Sequence, residues 1–525
     1  MPCCYEDGKG WCKDFQTVYT DEQGKNYCVF HAPQGRKGIS LEAFNDLVCR
    51  RIREAQKTGR GCNLSGTILD GDISFEHFNV ENPLPAINFS GVTFSGVTDF
   101  KYATFGGDAL FVNATFSGNT DFKYATFSGD AFFMNAAFGG KVDFMIVTFS
   151  GDAFFRNATF TDETIFARNK FKGSANFLEV VCSGDAFFGN ATFSEIANFE
   201  RATFSGNAFF GNTTFNGIAN FERATFSGNA SFANSYIGED GKLYFTGNAL
   251  KKHHIFEGQA SFEALNLLGI LKFEGVNLSK ARFSDTDVRK VDFLNVNWRE
   301  KGGRRFFDEI ALFREIGADS ENNEGEHERT TLYADYLDFK HWLKSRFFYA
   351  EEYGDRIRKV GILYRRMKQK YKELHNEQEV SNWHYGEKEM FRKETPFRRY
   401  FPLSFSFLYW LSSGYGERYV RAGLMLLALI VTASFGLAWA GLDAAPRPGS
   451  NTGGFFGIHT ITLENLNVKS VCALLTNILK YVTFQKDFFF VPHNITGEAI
   501  KMMAQILIPL QTVLFALAVR NRFRR

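Results

Sequence analysis

The sequence predicts a mixed architecture: a long stack of short extended segments, then a helical connector, then two membrane-spanning helices. Three observations predict it. Phe accounts for 61 of the 525 residues, against 19 Tyr and 6 Trp, and recurs at short fixed steps over residues 62–298. Beyond that stretch apolar residues fall at helical spacing, and residues 422–442 and 502–519 carry no charge. Length points to several domains rather than one core. Lys and Arg number 60 against 58 Asp and Glu, a net charge of +2. That balance argues against a polyanion-binding tail and against a strongly acidic decoy. A disordered chain would be poor in aromatics, and this one is rich in them.

Residues 1–40 read as a cap and residues 41–61 as a short helix. Four of the eight Cys cluster at the start: Cys3, Cys4, Cys12 and Cys28, with His31 three residues after the last. The two-residue gap between Cys28 and His31 is that of a zinc knuckle, in which one tight turn brings two ligands to one ion. Cys4 and Cys12 supply the other pair, and Cys3 is able to replace Cys4. The expected set is therefore Cys4, Cys12, Cys28 and His31 around a structural zinc. The competing reading is a surface stretch with scattered reduced thiols, since the gap from Cys4 to Cys12 is wider than in a usual first knuckle. Four protein ligands would close the coordination shell and leave no position for an activated water, so the role is structural rather than catalytic. The remaining thiols, Cys49, Cys62, Cys182 and Cys472, read as small buried hydrophobes. Eight Cys are too few for a disulfide scaffold, and Met1 to Gly10 show no signal-peptide pattern. A reducing, cytosolic setting for this part is expected.

Residues 62–298 are self-similar. The apolar series Phe89, Phe94, Phe100, Phe105, Phe111, Phe116, Phe122, Phe127, Phe133 advances by alternating steps of five and six, and continues to Phe232 with Cys182 in one Phe position. After an irregular patch at residues 235–255 it resumes at Phe256 and tightens to steps of five at Leu278, Phe283, Val288, Phe293 and Trp298. A second column lies two residues earlier and is small or β-branched: Ala114, Thr120, Ala125, Ala131, Ala136, Val142. Residues two apart point the same way in extended chain, so each unit turns one large and one small side chain inward. Neither a helical period nor a simple strand alternation fits. Short extended segments with a corner in each do fit.

This pattern resembles the pentapeptide-repeat family, roughly Ala-Asp/Asn-Leu/Phe-x-x. Ala197-Asn198-Phe199-Glu200-Arg201 and Ala219-Asn220-Phe221-Glu222-Arg223 match it directly. The resemblance implies a right-handed, four-sided parallel β-solenoid, here a Phe-rich variant with alternating steps. At about 4.8 Å between coils, roughly eleven coils give a rod on the order of 50 Å. An interior filled with Phe and Ala leaves no cavity, so activity must use the outer faces or the ends. Some members of the family mimic DNA and occupy topoisomerases, which needs a concentrated acidic surface. From Phe89 to Trp298 there are 21 Asp and Glu against 17 Lys and Arg. Mimicry and contact with nucleic acid are therefore the weaker expectations.

Residues 299–398 read as a helical connector. A polar stretch at residues 319–329 reads as a loop. Val360, Leu363, Tyr364, Met367, Tyr371 and Leu374 then share one helical face, and Trp383, Met390 and Phe391 mark the next helix. The pair resembles a helical hairpin found between pentapeptide repeats and membrane segments. His384 and Glu387 lie at helical spacing, and an ordinary surface contact is expected there rather than a metal pair.

Residues 399–525 read as the membrane region. At 1.5 Å per residue the two uncharged runs reach about 31 and about 27 Å, against a hydrocarbon core of about 30 Å. Arg418 and Arg421 precede the first run, and Arg520, Arg522, Arg524 and Arg525 end the second. Basic outer flanks place both termini on the cytoplasmic side, the expected location being the cell inner membrane. Trp410, Tyr415 and Tyr419 fit an interfacial aromatic belt, residues 401–411 fit the membrane surface, and Pro509 is expected to kink the second span. Between the spans, residues 446–454 are turn-rich and residues 468–484 form a short apolar helix, either re-entrant or lying on the membrane face. Span, short helix, span is the layout of two-helix cation channels, but Thr483-Phe484-Gln485-Lys486-Asp487 stands where a potassium filter would read Thr-Val-Gly-Tyr-Gly. Gly414-Tyr415-Gly416 precedes the first span and cannot serve.

No Walker loop, His-Glu-x-x-His or nucleophile elbow occurs, so no enzyme is expected. The first expectation is a non-catalytic, membrane-tethered scaffold that presents the solenoid to a protein partner. The alternative is a subunit of a homo-oligomeric ion-channel-like pore with the solenoid as sensor. A DNA-mimicking, topoisomerase-binding protein comes third.

Overall fold

A computed structural model describes residues 3–5, 10–247, 255–300, 304–315, 353–394, 405–416, 418–445, 458–485 and 488–523. The chain divides into two compact units, Met1–Arg299 with Arg305–Ala311, and Glu300–Arg304 with Leu312–Arg525.

The first unit is a four-sided stack. Its four parallel sheets have 11, 8, 10 and 8 strands. Almost every strand is two residues long, such as Thr115–Phe116 and Ala131–Phe132. Strands pair with the coil above and below: Ala109 with Ala131, Ala131 with Ala153. One coil therefore spans 22 residues, two steps of five and two of six. The last coil is tighter, pairing Phe273 with Phe293. In-register parallel pairing places like residue on like residue, which is why the Phe columns arise. Between coils the rings stack, Phe94 on Phe116 at 4.5 Å and 2°. Within the cross-section they meet edge to face, Phe111 and Phe122 at 6.0 Å and 88°. Both are favoured quadrupole geometries. The Phe and the small residue two earlier are buried together, as in Ala114 and Phe116, so the inward assignment of both columns holds.

Two kinds of corner explain the alternating step. In the regular part, each five-residue step carries one residue at positive φ at every second corner of the coil: Tyr102, Asn113, Tyr124, Asn135, Ile146, Asn157, spaced by eleven. Asn tolerates this left-handed region best of the residues that carry a side chain. Most six-residue steps instead carry a Gly packed on the previous coil. A Cβ at Gly118 would meet the Gly96 carbonyl oxygen at 2.5 Å, and one at Gly206 the Gly184 carbonyl carbon at 2.6 Å. The next residue is often Asp or Asn, whose Oδ1 accepts from the following coil: Asp130 N to Asp108, Asp152 N to Asp130, Asn229 N to Asn207, at 2.8–3.0 Å. The extra residue of the six-step is accommodated by that side-chain ladder.

Both ends of the stack are covered. Helix α1 (Leu41–Thr58), capped by Ser40 and closed by left-handed Gly59, buries Phe44, Val48, Ile52 and Ala55. At the far end α2 (Phe307–Glu315) brings in Asp308. Its carboxylate accepts from the backbone N–H of Phe283 and Ser284 and from the Ser284 hydroxyl, at 2.5–3.0 Å.

The second unit is helical. Helices α3 (Gly354–Glu373) and α4 (Glu377–Glu394) form a hairpin that buries Val360, Leu363, Tyr364, Met367, Trp383 and Met390. Leu374 and Phe391 are exposed instead. Helix α5 (Phe405–Ser413) leads into α6 (Tyr419–Ala440), then α7 (Val468–Val482) and α8 (Ile495–Phe523). A small antiparallel sheet, Leu442–Ala444 between Thr460–Ile461 and Phe490–Pro492, joins them. The polar stretch at 319–329 and the turn-rich stretch at 446–454 lie outside the described residues.

Candidate metal centre and membrane region

The candidate metal site is built by a hairpin and a turn. Strands Thr17–Thr20 and Asn26–Cys28 pair antiparallel and deliver Cys28 at their end. The chain then turns back, with the N–H groups of His31 and Ala32 both bonded to the Cys28 carbonyl, at 3.1 and 2.8 Å. This is the local reason that Cys28 and His31 face one point. Residues 3 and 4 run alongside the hairpin, with Cys4 N donating to the Asn26 carbonyl at 2.7 Å.

Cys3, Cys12, Cys28 and His31 converge, all buried, with their ligand atoms within 4.8 Å of one another. His31 Nδ1 lies 3.2 Å from Cys28 Sγ and 3.6 Å from Cys3 Sγ. Of the expected ligands Cys12, Cys28 and His31 meet, but Cys4 does not join them. Cys3 turns inward, and the Cys4 thiol lies beside Tyr27 instead.

The surroundings suit a metal. His31 Nε2 is 3.0 Å from the Ser65 carbonyl, a contact that requires the proton on Nε2 and leaves Nδ1 free to ligate. Burial lowers the affinity of His31 for a second proton. The Cys28 N–H points at Cys3 Sγ at 3.4 Å. As bare thiols these groups are disfavoured as anions: burial first, then the neighbouring thiols, push Cys12 up, and burial pushes Cys28 up. A divalent cation removes that penalty. Three thiolates and one divalent ion would leave one negative charge. The nearby cation is Lys37, which is buried, donates to the carbonyls of Val29 and Ala32 at 3.0 and 3.1 Å, and interacts with Asp70 first and Cys28 second. Lys37, Ser65 and Tyr5, whose ring stacks on His31 at 4.2 Å, were not legible as site residues. Nothing in their sequence spacing ties them to the Cys.

Elsewhere the thiols behave as hydrophobes with one exception. Cys49, Cys62 and Cys182 are buried, but Cys472 is exposed on α7. His384 Nδ1 and Glu387 Oε2 lie 3.9 Å apart, and Glu387 is engaged across the hairpin by Arg365 at 3.0 Å and by Lys368. Burial pulls His384 down to about 4.

Helices α6 and α8 are long and apolar enough to cross a membrane. Leu424, Leu427, Val431, Phe435 and Trp439 on α6 and Met502, Met503, Ile506, Leu510 and Val513 on α8 are exposed. The two pack closely where glycines allow it: a Cβ at Gly423 would meet the Phe515 ring at 3.1 Å, and one at Gly436 would meet Ile500 at 3.2 Å. Pro509 lies inside α8. Trp410 and Tyr415, expected in an interfacial belt, are buried instead. The Arg392 and Arg421 guanidinium groups lie 4.7 and 5.2 Å from the Trp410 ring centroid. Residues 414–416 form a turn at positive φ throughout, and the Gly416 carbonyl accepts from Asn521 at 3.1 Å. Helix α7 packs on both α6 and α8. Its buried Asn477 accepts from the N–H groups of Phe489 and Phe490 and donates to the Phe490 carbonyl, which also accepts from Tyr481, at 2.5–3.1 Å. Of the five residues standing in a filter's place, Lys486 and Asp487 lie outside the described residues.

Residues 86–126, 100–145, 166–214 and 188–236 match the family model described as pentapeptide repeats (9 copies). The solenoid is a pentapeptide-repeat domain. Its 22-residue coil departs from four strict pentapeptides by the two six-residue corners. No curated protein and no solved structure matches the chain. The matched residues lie within the solenoid, and the Cys3, Cys12, Cys28 and His31 cluster sits at its N-terminal end.

Proposed function

We propose that this is a non-catalytic, membrane-tethered interaction protein of the cell inner membrane. A zinc-bearing cap and a pentapeptide-repeat solenoid face the cytosol, and α6 and α8 anchor them. The observation that carries the reading is the solid interior of the solenoid together with the apolar exposed faces of two helices in the other unit. Rings at stacking distance from coil to coil leave no room for a substrate, so recognition of a protein partner falls to the outer faces. Arg418 and Arg421 at the start of α6 and Arg520 and Arg522 near the end of α8 support cytoplasmic placement of both flanks. The donor set of three thiols and one imidazole suits zinc. Expression in a bacterial host, followed by alkaline washing of membranes and metal analysis of the detergent-purified protein, tests the reading. Membrane retention with about one zinc per chain supports it. Release by the wash defeats the tether, and absence of zinc defeats the cap assignment.

A second reading, a homo-oligomeric pore, is favoured by the packing of α7 against both spans. Against it stands the sequence Thr483-Phe484-Gln485-Lys486-Asp487, which lacks the Thr-Val-Gly-Tyr-Gly of a potassium filter. Ion flux in liposomes containing the full chain separates the two, and the tether predicts none.

A further inference from the structure

The first coil is an edge. Its strands Cys62–Asn63, Ile68–Leu69 and Ile73–Ser74 end their sheets. Open strand edges invite pairing and are commonly covered. Two different structures cover this one. Helix α1 supplies fixed contacts: Arg51 Nε to the Asn63 carbonyl at 3.2 Å, Asn45 to Asp72 at 3.1 Å, Gln56 to Pro83 at 2.7 Å. The Cys/His knot covers the next corner. Ile68 N donates to the Phe30 carbonyl at 2.9 Å, and His31 Nε2 and Trp11 Nε1 both contact the Ser65 carbonyl, at 3.0 and 2.9 Å. The Tyr5 ring fills the space over Gly66, where a Cβ would lie 2.1 Å from it. Phe30 and His31 belong to the ligand turn itself, and Tyr5 follows Cys3 by two residues. The groups that cover residues 65–68 are thus held in place by the residues that would hold the metal. At the opposite end, the Asp308 carboxylate does the equivalent work through the chain alone.

We propose that the Cys3, Cys12, Cys28 and His31 site is a metal-dependent latch on the N-terminal edge of the solenoid. With a soft divalent cation bound, residues 65–68 are covered. When the ion is withdrawn, the segments around residues 3, 12 and 28–31 lose their common tie, and that edge opens while α1 and the coils beyond stay closed. The proposal rests on the zinc reading given above.

Hydrogen exchange on the full chain in detergent tests it, with zinc alone as the probe and a chelator to remove it. Expected is a rise of at least tenfold in exchange at the Ile68 amide on chelation, reversed by added zinc, with the amides of Phe111 and Phe133 unchanged. Cys28→Ser should show the fast exchange at Ile68 with zinc present, and Cys49→Ser should not. If zinc binds stoichiometrically but its removal leaves Ile68 unchanged, the latch is overturned and the zinc reading stands. If Phe111 and Phe133 lose protection together with Ile68, the ion holds the whole stack and the latch is likewise overturned. If no zinc binds, both readings fall.

Discussion

Phe199 is fully buried, stacked at 4.7 Å on Phe177 below and on Phe221 above. A charge placed there has no partner. Phe199→Asp is expected to cost at least about 3–5 kcal/mol, whereas Glu200→Ala next door should stay within about 0.5 kcal/mol, since Glu200 makes one ion pair at the surface, 3.6 Å from Arg201. Thermal unfolding of both variants checks the pair, and similar losses would contradict the inward and outward assignment. Ile146 tests the corners. It is β-branched and stands at φ 63, where the corners one coil apart on the other column use Asn135 and Asn157. Ile146→Asn should stabilise the stack by about 1 kcal/mol, the order of the left-handed penalty relieved. At this scale legibility differed sharply from residue to residue. The Phe columns were readable because their period is uniform. The positive-φ corners were not, because Tyr102, Ile146, Arg168 and Asn190 share no chemistry that marks them. Cys3 and Cys4 were indistinguishable by spacing, since only the pairing of residue 4 with Asn26 decides which thiol turns inward.

At the level of elements, the ends of the solenoid matter more than its middle. Coils in the middle are each supported twice, but the last is supported by α2. Asp308→Ala would leave the N–H groups of Phe283 and Ser284 without their acceptor, at about 1–3 kcal/mol for each buried group. The expected result is early exchange of the coil at residues 271–294 with the central coils intact; uniform loss across the stack would contradict it. The helices were legible from spacing, and α3, α4, α6 and α8 lie where that spacing put them. What spacing left open was α7. Its buried face mixes Ala473, Leu474 and Ile478 with Ser470, Asn477 and Tyr481, while Val471, Leu475 and Leu479 are exposed. Polar residues among the buried apolar ones hold the Phe489–Phe490 backbone, and Cys472 falls on the exposed side. Asn477→Ala should lower the melting temperature in detergent by several degrees, because it takes the side-chain acceptor from the N–H groups of Phe489 and Phe490.

For the whole molecule, the division of labour follows from what each part is able to bury. The pentapeptide-repeat unit buries rings against rings and needs no lipid. Helices α6 and α8 leave wide apolar faces that water does not favour, and their glycines bring them together as a hairpin whose outer flanks are basic. The central claim is that this hairpin lies in a bilayer and holds the solenoid beside it. Its most direct test is the partition of the intact chain after alkaline washing of host membranes. The account predicts that the protein stays with the pelleted membrane and leaves it only in detergent. Complete release into the wash, as a monodisperse protein that remains folded in plain buffer, would contradict it.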